Sequence, residues 1–555
     1  MTVMKAVARQ DTTEIRTNRQ RESCAVLRGG GGSVRTHWDE DARMTRLGGV
    51  AYFAEYLRDS GFLDAILRQS PLRYTSHNAP RPADVMGTLL LAVLDGISRY
   101  AGINTLRQDT VCPELLGFGR LVSEDSVRNG LKQVSERPEE WDAWIRSLMD
   151  RLVLPLLSEP YVADMDNTVK PLYGHQEGAQ KSYNPKKPGR PSQNHQTWAM
   201  GTTRLILGVD VLPGKRHAGK YGAALAFDWI RRLPPHLRPR LLRGDVGYGS
   251  SGILDEADSL ALPYLFKLSR TQKMKRHFRS LCRRDGWTEA GDGWQGLFQR
   301  EQLSGWSRER RCLFLRRPVG SAPEPGARPD QLLLPTFDEW AGPPQPDRRW
   351  DFCVLVTSDE SADAIALSQL YRDRGDCENI FDELKNQWGW GGFVTQDLAR
   401  TRLVARFTAL VYGLWSVFMR LASPDVHREA KTSRPMLLNV LGRAARSGRE
   451  TVLHLVSTHS MAPLIARALD SIHNYLRALR ATAEQLGPDG MWEAILRVAF
   501  RHFLGEKPAR PPPLVGNQWM LPLLPASSLR PPPRYSEPDP LGCAARIRLQ
   551  LLFLG

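Results

Sequence analysis

The sequence predicts an α/β domain interrupted by a β-rich insertion and flanked by helical regions, and three observations carry that prediction. Between 159 and 270, short β-prone apolar runs alternate with stretches that repeat at helical spacing. Before and after, over 41–158 and 396–504, helical periodicity dominates. Between 271 and 350, brief alternating segments are separated by Asp-Gly and Ser-Gly turns, the pattern of β-hairpins.

Taken in order, residues 1–40 are polar and Arg-bearing and contain GGGGS from Gly29 to Ser33, which reads as a flexible tail. Over 41–158, ADVMGTLLLAVLDGISRYAGINTLRQD is periodic and mostly apolar, and LVSEDSVRNGLKQV opens a helix at Ser123, a good N-cap residue. YVADMD, RLILGVDVLPG, RLLRGDVG and LPYLFKLS read as strands, with YGAALAFDWIRRL and SSGILDEADSL as helices between them. After the insertion, WDFCVLVTS reads as a strand and SADAIALSQLYRDRGDCENIFDELKNQWGW as one long helix. They complete the α/β domain over 159–270 plus 351–395. Residues 505–555, with KPARPPPLV and RPPPRYSEPDP, read as an extended Pro-rich tail.

At 555 residues the chain is too long for a single core. Its 76 basic and 60 acidic side chains leave a net charge of +16, which favours a polyanionic partner, nucleic acid foremost, although a basic membrane-surface protein shares that balance. The first twenty residues lack the apolar core of a secretory signal. FTALVYGLWSVFM falls short of the roughly 20 apolar residues a membrane helix needs, so it reads as a buried helix. The seven cysteines are scattered and form no C-x-x-C, which fits a reducing cytoplasm and supports neither a disulfide frame nor a zinc cage. A cytoplasmic, soluble, DNA-facing protein is expected.

The chemistry concentrates in acidic residues at the ends of predicted strands. YVADMDNTVKPLYG sets Asp164 and Asp166 two apart at the end of an apolar run, on one face of a strand. Asp245 ends a second strand in LLRGDVGYG, where Gly244 and Gly247 permit a tight exit. On the long helix, Tyr371, Arg374, Glu378 and Lys385 fall within about 60° of arc at about 100° per residue. Alone, that face is an ordinary salt-bridged surface. Beside two strand aspartates, Glu378 becomes the third carboxylate of a set able to share two divalent cations, the arrangement phosphodiester chemistry requires. Asp382, nearby on the helix, is the alternative third ligand.

These residues resemble a known family. The spacing Y-(2)-R-(3)-E-(6)-K at 371–385, DNT at 166–168 and RGDVGYG at 243–249 are similar to DDE-type insertion-sequence transposases of the cut-and-paste bacterial group. The likeness runs from about 80 to 450 and takes in the long basic segment YGHQEGAQKSYNPKKPGRPSQNHQ. It implies a ribonuclease H-like catalytic domain with an inserted β-domain, catalytic and metal-binding roles for Asp166, Asp245 and Glu378, and two Mg²⁺ ions for which Mn²⁺ can substitute. It further implies DNA contacts by Tyr371, Arg374 and Lys385, cleavage at terminal inverted repeats, transfer of the 3′-hydroxyl into target DNA, and two subunits in a synaptic complex. The family match selects Asp166 over Asp164. A nuclease without strand transfer and an inactive DNA-binding derivative are the alternatives within this reading. DMDNT also matches the D-x-D-x-T opening of haloacid dehalogenase-type phosphatases, but Gly249 and Ser250 stand where their later second acid belongs.

Lys186, Lys187 and Arg190 lie among turn-formers in NPKKPGRPS, as a DNA-contacting loop or a solvated one. PELLGFGRLVSEDSVRNGLKQV reads equally as a helix-turn-helix presenting Arg128, Asn129 and Lys132 or as a plain helical hairpin. Trp287, Trp294 and Trp306 are candidates to stack on an extruded base, with at least two of them expected in a core. His175, His195 and His217 lack metal-ligand spacing and read as structural or surface residues.

Overall fold

The structure is a computed structural model that describes residues 25–504, apart from 183, 185, 186, 217, 320–349, 425 and 483–485. The Pro-rich tail, the first 24 residues and part of the expected insertion therefore lie outside the described residues. The end of the supposed flexible tail is a hairpin instead: β1 (Ala25–Gly29) pairs with β2 (Gly32–Thr36) around the glycine run, with its side chains almost all exposed. The two-residue strand β3 (Met44–Thr45) follows.

Helices α1 (Val50–Asp59), α2 (Phe62–Leu67), α3 (Pro82–Leu94), α4 (Val111–Leu116), α5 (Glu124–Gly130), α6 (Gln133–Glu136) and α7 (Pro138–Val153) build the N-terminal region. Ser123 caps α5 as its sequence suggests, its hydroxyl accepting from the Ser126 amide at 3.3 Å. Proline opens α3 and α7, where the missing N–H costs nothing.

The central element is a ten-stranded sheet. β4 (Val162–Pro171) lies between the antiparallel β6 (Pro191–Met200) and the parallel β8 (Leu241–Gly244). The short β5 (Gln180–Lys181) and β7 (Leu205–Pro213) both pair with β6, and β9 (Tyr264–Lys267) runs parallel to β8. Helices α8 (Ala223–Arg232) and α9 (Ser251–Ser259) connect these strands. β6 was not expected: its residues were read as the end of a basic loop. It is polar, yet every residue after Pro191 is buried, and the β4 and β7 ladders on either side satisfy its backbone.

Two further readings change. The 271–350 stretch opens with a helix, α10 (Gln272–Leu281). Its strands β10 (Thr288–Glu289), β11 (Gln295–Glu301) and β12 (Arg310–Pro318) then continue the same sheet through β13 (Trp350–Thr357), which pairs with β9. The long helix is two helices, α11 (Ala364–Arg372) and α12 (Gly375–Gln387), broken at Asp373 and Arg374.

The C-terminal region consists of α13 (Leu398–Ala422), α14 (Ala430–Leu437), a hairpin of β14 (Gly442–Ser447) and β15 (Glu450–Leu455), then α15 (Ala462–Thr482) and α16 (Pro488–Ala499). It is thus not helical throughout: β14 also pairs with β3, making a three-stranded sheet from the two ends of the fold. Among the described residues α13 alone is long and apolar enough to cross a membrane, but 94% of its apolar window is buried inside the protein. It is the core helix. Arg406 locks it in place, donating to the Val209 carbonyl at 2.9 Å, to Asp210 at 2.9 Å and to Asp142 at 2.7 Å, so that α13, β7 and α7 share one buried charge network.

Leu410, fully buried in α13, tests that role. Leu410→Ala is expected to lower the unfolding free energy by about 2–5 kcal/mol in urea titration; a loss well below that range would mean that α13 is not the core.

Candidate active site

Parallel pairing sets the site. Asp164 lies opposite Arg243 and Met165 opposite Gly244, so the next step along both chains brings Asp166 beside Asp245. Gly244 is needed there, because a Cβ would stand 2.8 Å from the Cβ of Tyr248. The chain then turns sharply: the Asp245 carboxylate accepts from the Gly247 amide at 2.9 Å, and its carbonyl accepts from the Tyr248 amide at 3.0 Å.

The two aspartates of the opening motif have different environments. Asp164 is 0% exposed and makes a two-point ion pair with Arg243, at 2.6 Å to Nε and 2.7 Å to Nη2. The remaining Nη1 of Arg243 donates to the Leu370 carbonyl in the last turn of α11. Asp166 is 6% exposed and has one oxygen on its neighbour's amide, Asn167, at 2.7 Å and the other on Arg374 at 2.6 Å. Burial, opposed by Arg374 and reinforced by the charge of Asp245, raises the Asp166 carboxyl to about 6.

Arg374 is the centre of the arrangement. The break between α11 and α12 puts it at the N-cap position, and its second nitrogen reaches Glu378 at 3.4 Å. Burial opposes its charge, but Asp166 and the groups around it hold its pKa well above the ordinary value. Its guanidinium carbon stands 5.9 Å from the Tyr371 ring centroid. Burial pushes the Tyr371 phenol up. Glu378 projects outward, with 67% of its side chain exposed. Asp382 faces solvent and accepts from Asn386 at 2.7 Å.

The structure thus brings together Asp166, Asp245, Tyr371, Arg374 and Glu378. Lys385 lies further along α12, near His195, whose imidazole is driven well below its usual pKa by burial and then by Lys170 and Lys385. Lys187 and Arg190 are exposed before β6, and Lys186 and His217 lie outside the described residues. Arg128, Asn129 and Lys132 are exposed, but Arg128 already pairs with Glu124 at 2.8 Å and rests on Tyr100 at 4.8 Å. Trp306 is buried in the core, while Trp287 and Trp294 are partly buried with Arg316 and Arg317 on their rings. His175 is exposed.

Sequence reading passed over Arg243 and Lys170. Lys170 is 4% exposed and shares the β4 face of Asp164 and Asp166. Its ammonium donates to the Gly392 carbonyl at 2.6 Å, and burial lowers it to about 8. A basic residue four places beyond Asp166 and another two places before Asp245 were the only available signals.

Among the described residues no group of three or more His, Cys, Asp or Glu stands close enough to hold a metal ion. Two carboxylates lie side by side, and the third meets them through a guanidinium. The donors are all carboxylate oxygens, the type a hard divalent cation takes, and Arg374 supplies the positive charge among them.

Residues 157–414 match the family model described as a transposase DDE domain. The motifs at 166–168, 243–249 and 371–385 all fall within that match, which is narrower than the likeness read from about 80 to 450. No curated protein matches the chain. Among solved structures, the piggyBac transposase in a synaptic complex with hairpin DNA is similar at 10% identity and a TM-score of 0.36, with 81% of this chain and 85% of that one covered.

Two outcomes are expected. Asp164→Asn should cost about 3–5 kcal/mol in urea titration by leaving Arg243 buried and unpaired, whereas Asp166→Asn should cost less, because Arg374 keeps Glu378; equal losses would show that both aspartates are structural anchors. Lys170 predicts a pH effect. The unfolded side chain keeps its proton to about 10.4, so between about 8 and that value the unfolded state binds more protons and stability rises with pH. The stability of wild type minus that of Lys170→Met should therefore grow by roughly 2–3 kcal/mol across that window; a flat difference would refute the shift.

Proposed function

We propose that this chain, whose residues 157–414 match a transposase DDE domain, is a DNA transposase that cleaves insertion-sequence ends and joins the freed 3′-hydroxyl to target DNA. The observation that carries this reading is the placement of Asp245, where β8 ends, beside Asp166 in the middle of the parallel strand β4, with Glu378 tied to Asp166 through Arg374. The strand order β7-β6-β4-β8-β9, three antiparallel strands followed by two parallel to β4, supports a ribonuclease H-like fold for this domain.

Asp166, Asp245 and Glu378 are the residues that would hold Mg²⁺, two ions in the full site. When bound, such ions activate the water or 3′-hydroxyl nucleophile and stabilise the departing oxygen. The chain's own part is to fix two carboxylates on rigid strands and to bring the third from a helix that begins next to them. Arg374 neutralises Asp166 and, once released from it, is placed to bind the phosphate beside the cut, with the Tyr371 phenol near it. Lys385, Lys187 and Arg190 are proposed to contact phosphates further along the DNA. In the same proposal, the helical regions 41–158 and 396–504 bind the terminal repeats, two subunits bridge two ends, and the protein works in the bacterial cytoplasm. The phosphatase pattern fits poorly, since its D-x-D pair would include Asp164, which is closed off by Arg243.

The test is incubation of purified protein and Mg²⁺ with linear DNA carrying the gene and its natural flanks, mapping new 3′ ends and joined products. Paired cuts at inverted ends, joining to target, and loss of both in Glu378→Gln are expected. Cuts without joining would identify a nuclease, binding without cuts an inert derivative, and cuts that survive the substitution would remove Glu378 from the site and return attention to Asp382.

A further inference from the structure

Two tyrosines at one end of the sheet each carry a pair of cations. Tyr173 lies just beyond β4, 66% exposed. The Arg190 guanidinium is 4.7 Å and the Lys187 ammonium 5.0 Å from its ring centroid, and Lys187 also donates to the phenol oxygen. Tyr221 lies beyond β7, with Arg216 at 4.6 Å and Lys220 at 5.7 Å. Because β6 is antiparallel to β4 and β7, the end of β4, the start of β6 and the end of β7 share one margin of the sheet. Two strand spacings separate the ends of β4 and β7 there by about 10 Å.

The loops that carry them are anchored. The buried Asn184 side chain accepts from the Lys187 amide at 3.0 Å, and its own amide nitrogen is buried without a partner among the described residues. Asn194, also buried, donates to the carbonyls of Gly214 at 2.9 Å and Arg216 at 3.2 Å. Gly214 lies so close to the Ser192 carbonyl that a Cβ would stand 2.3 Å from it. Charge on this margin is one-sided. The described residues of 172–192 and 213–222 include Lys181, Lys187, Arg190, Lys215, Arg216 and Lys220 against the single acid Glu177. The Glu177 carboxylate is already engaged with the Leu398 amide at 2.9 Å.

Two like charges on neighbouring loop residues repel, and freely solvated they would separate. A ring that attracts both through its quadrupole and offers a phenol oxygen to one keeps them together. We infer that this margin is a phosphate-binding face, on which Tyr173 and Tyr221 hold paired cations for the DNA backbone beside the cut site. The inference rests on the transposase reading. Pro171 is five residues beyond Asp166, about 17 Å along the strand, so the face would meet phosphates within about five base pairs of the scissile bond. It reads backbone and carries no base specificity.

The test is a salt series of anisotropy titrations, using the full-length protein and a duplex of the gene's flank. Lys187→Gln/Arg190→Gln and Arg216→Gln/Lys220→Gln should each flatten the slope of log affinity against log salt by about one to two. Lys273→Gln/Arg279→Gln, which removes the same charge from exposed positions of α10, should change it far less. Tyr173→Leu, with every cation kept, should weaken binding several-fold, while Tyr173→Phe should stay near wild type. Ethylation of phosphates within about five base pairs of the cut should interfere with wild-type binding and not with the double variants. Thermal melts that match wild type would show that the surface variants fold. Slopes equal to the control, or no effect of Tyr173→Leu, would overturn the inference. If cleavage is meanwhile lost in Asp166→Asn, the transposase reading stands without this face; a wild type that binds no duplex at any salt removes both.

Discussion

The site depends on one buried cation, Arg243. From its own strand β8 its three donors reach two other pieces of chain: Nε and Nη2 go to the carboxylate of Asp164 on β4, and Nη1 goes to the Leu370 carbonyl in the last turn of α11. Asp166 lies two residues beyond Asp164 on β4, Asp245 two residues beyond Arg243, and α12 with Glu378 follows α11 directly. A fully desolvated guanidinium is tolerated only when nearly all its hydrogen bonds are made, so the pair leaves little freedom in how β4, β8 and α11 meet. A lysine could match the charge but not the fork that reaches both Asp164 and Leu370 at fixed angles.

Arg374 repeats the device at the next level, with a different outcome. Arg243 is enclosed, whereas Arg374 lies at the rim with one carboxylate buried and the other reaching into solvent. Asp166 and Asp245, brought side by side, repel, and the Arg374 guanidinium near both offsets that repulsion. The same cation is placed so that a nucleic acid phosphate could compete for it. Under the proposed function a single charged side chain, set at the break between α11 and α12, would thus serve both folding and binding.

Much of the site was legible because its signal is local: β-prone runs ending in Asp166 and Asp245, and the fixed spacing from Tyr371 to Lys385. The division of labour between Asp164 and Asp166 was not, since residues two apart on a strand share a face and only the partner across the sheet, Arg243, separates them. The helix break at Arg374 was hidden by continuous helical periodicity on both sides. β6 escaped because hydrophobic alternation is blind to a strand made of Ser192, Gln193, Asn194, His195, Gln196 and Thr197; its burial comes from the sheet around it, not from its own composition. The hairpin of β14 and β15 and its pairing with β3 join residues some four hundred positions apart, a relation that no local pattern encodes.

The antiparallel strands β10 to β13 have a consequence for how the molecule meets its own copies. Without β10 to β13, the parallel strand β9 would end the sheet with a row of open amides and carbonyls, a template for pairing with any extended segment. Antiparallel addition moves that border outward by four strands and finishes it on β10, a strand of two exposed residues, too short to nucleate such pairing. Whatever else the insertion does, it acts as a hem on the central sheet. A shortened relative trimmed back to the six strands β4 to β9 would need another way to cover β9 in order to stay in solution.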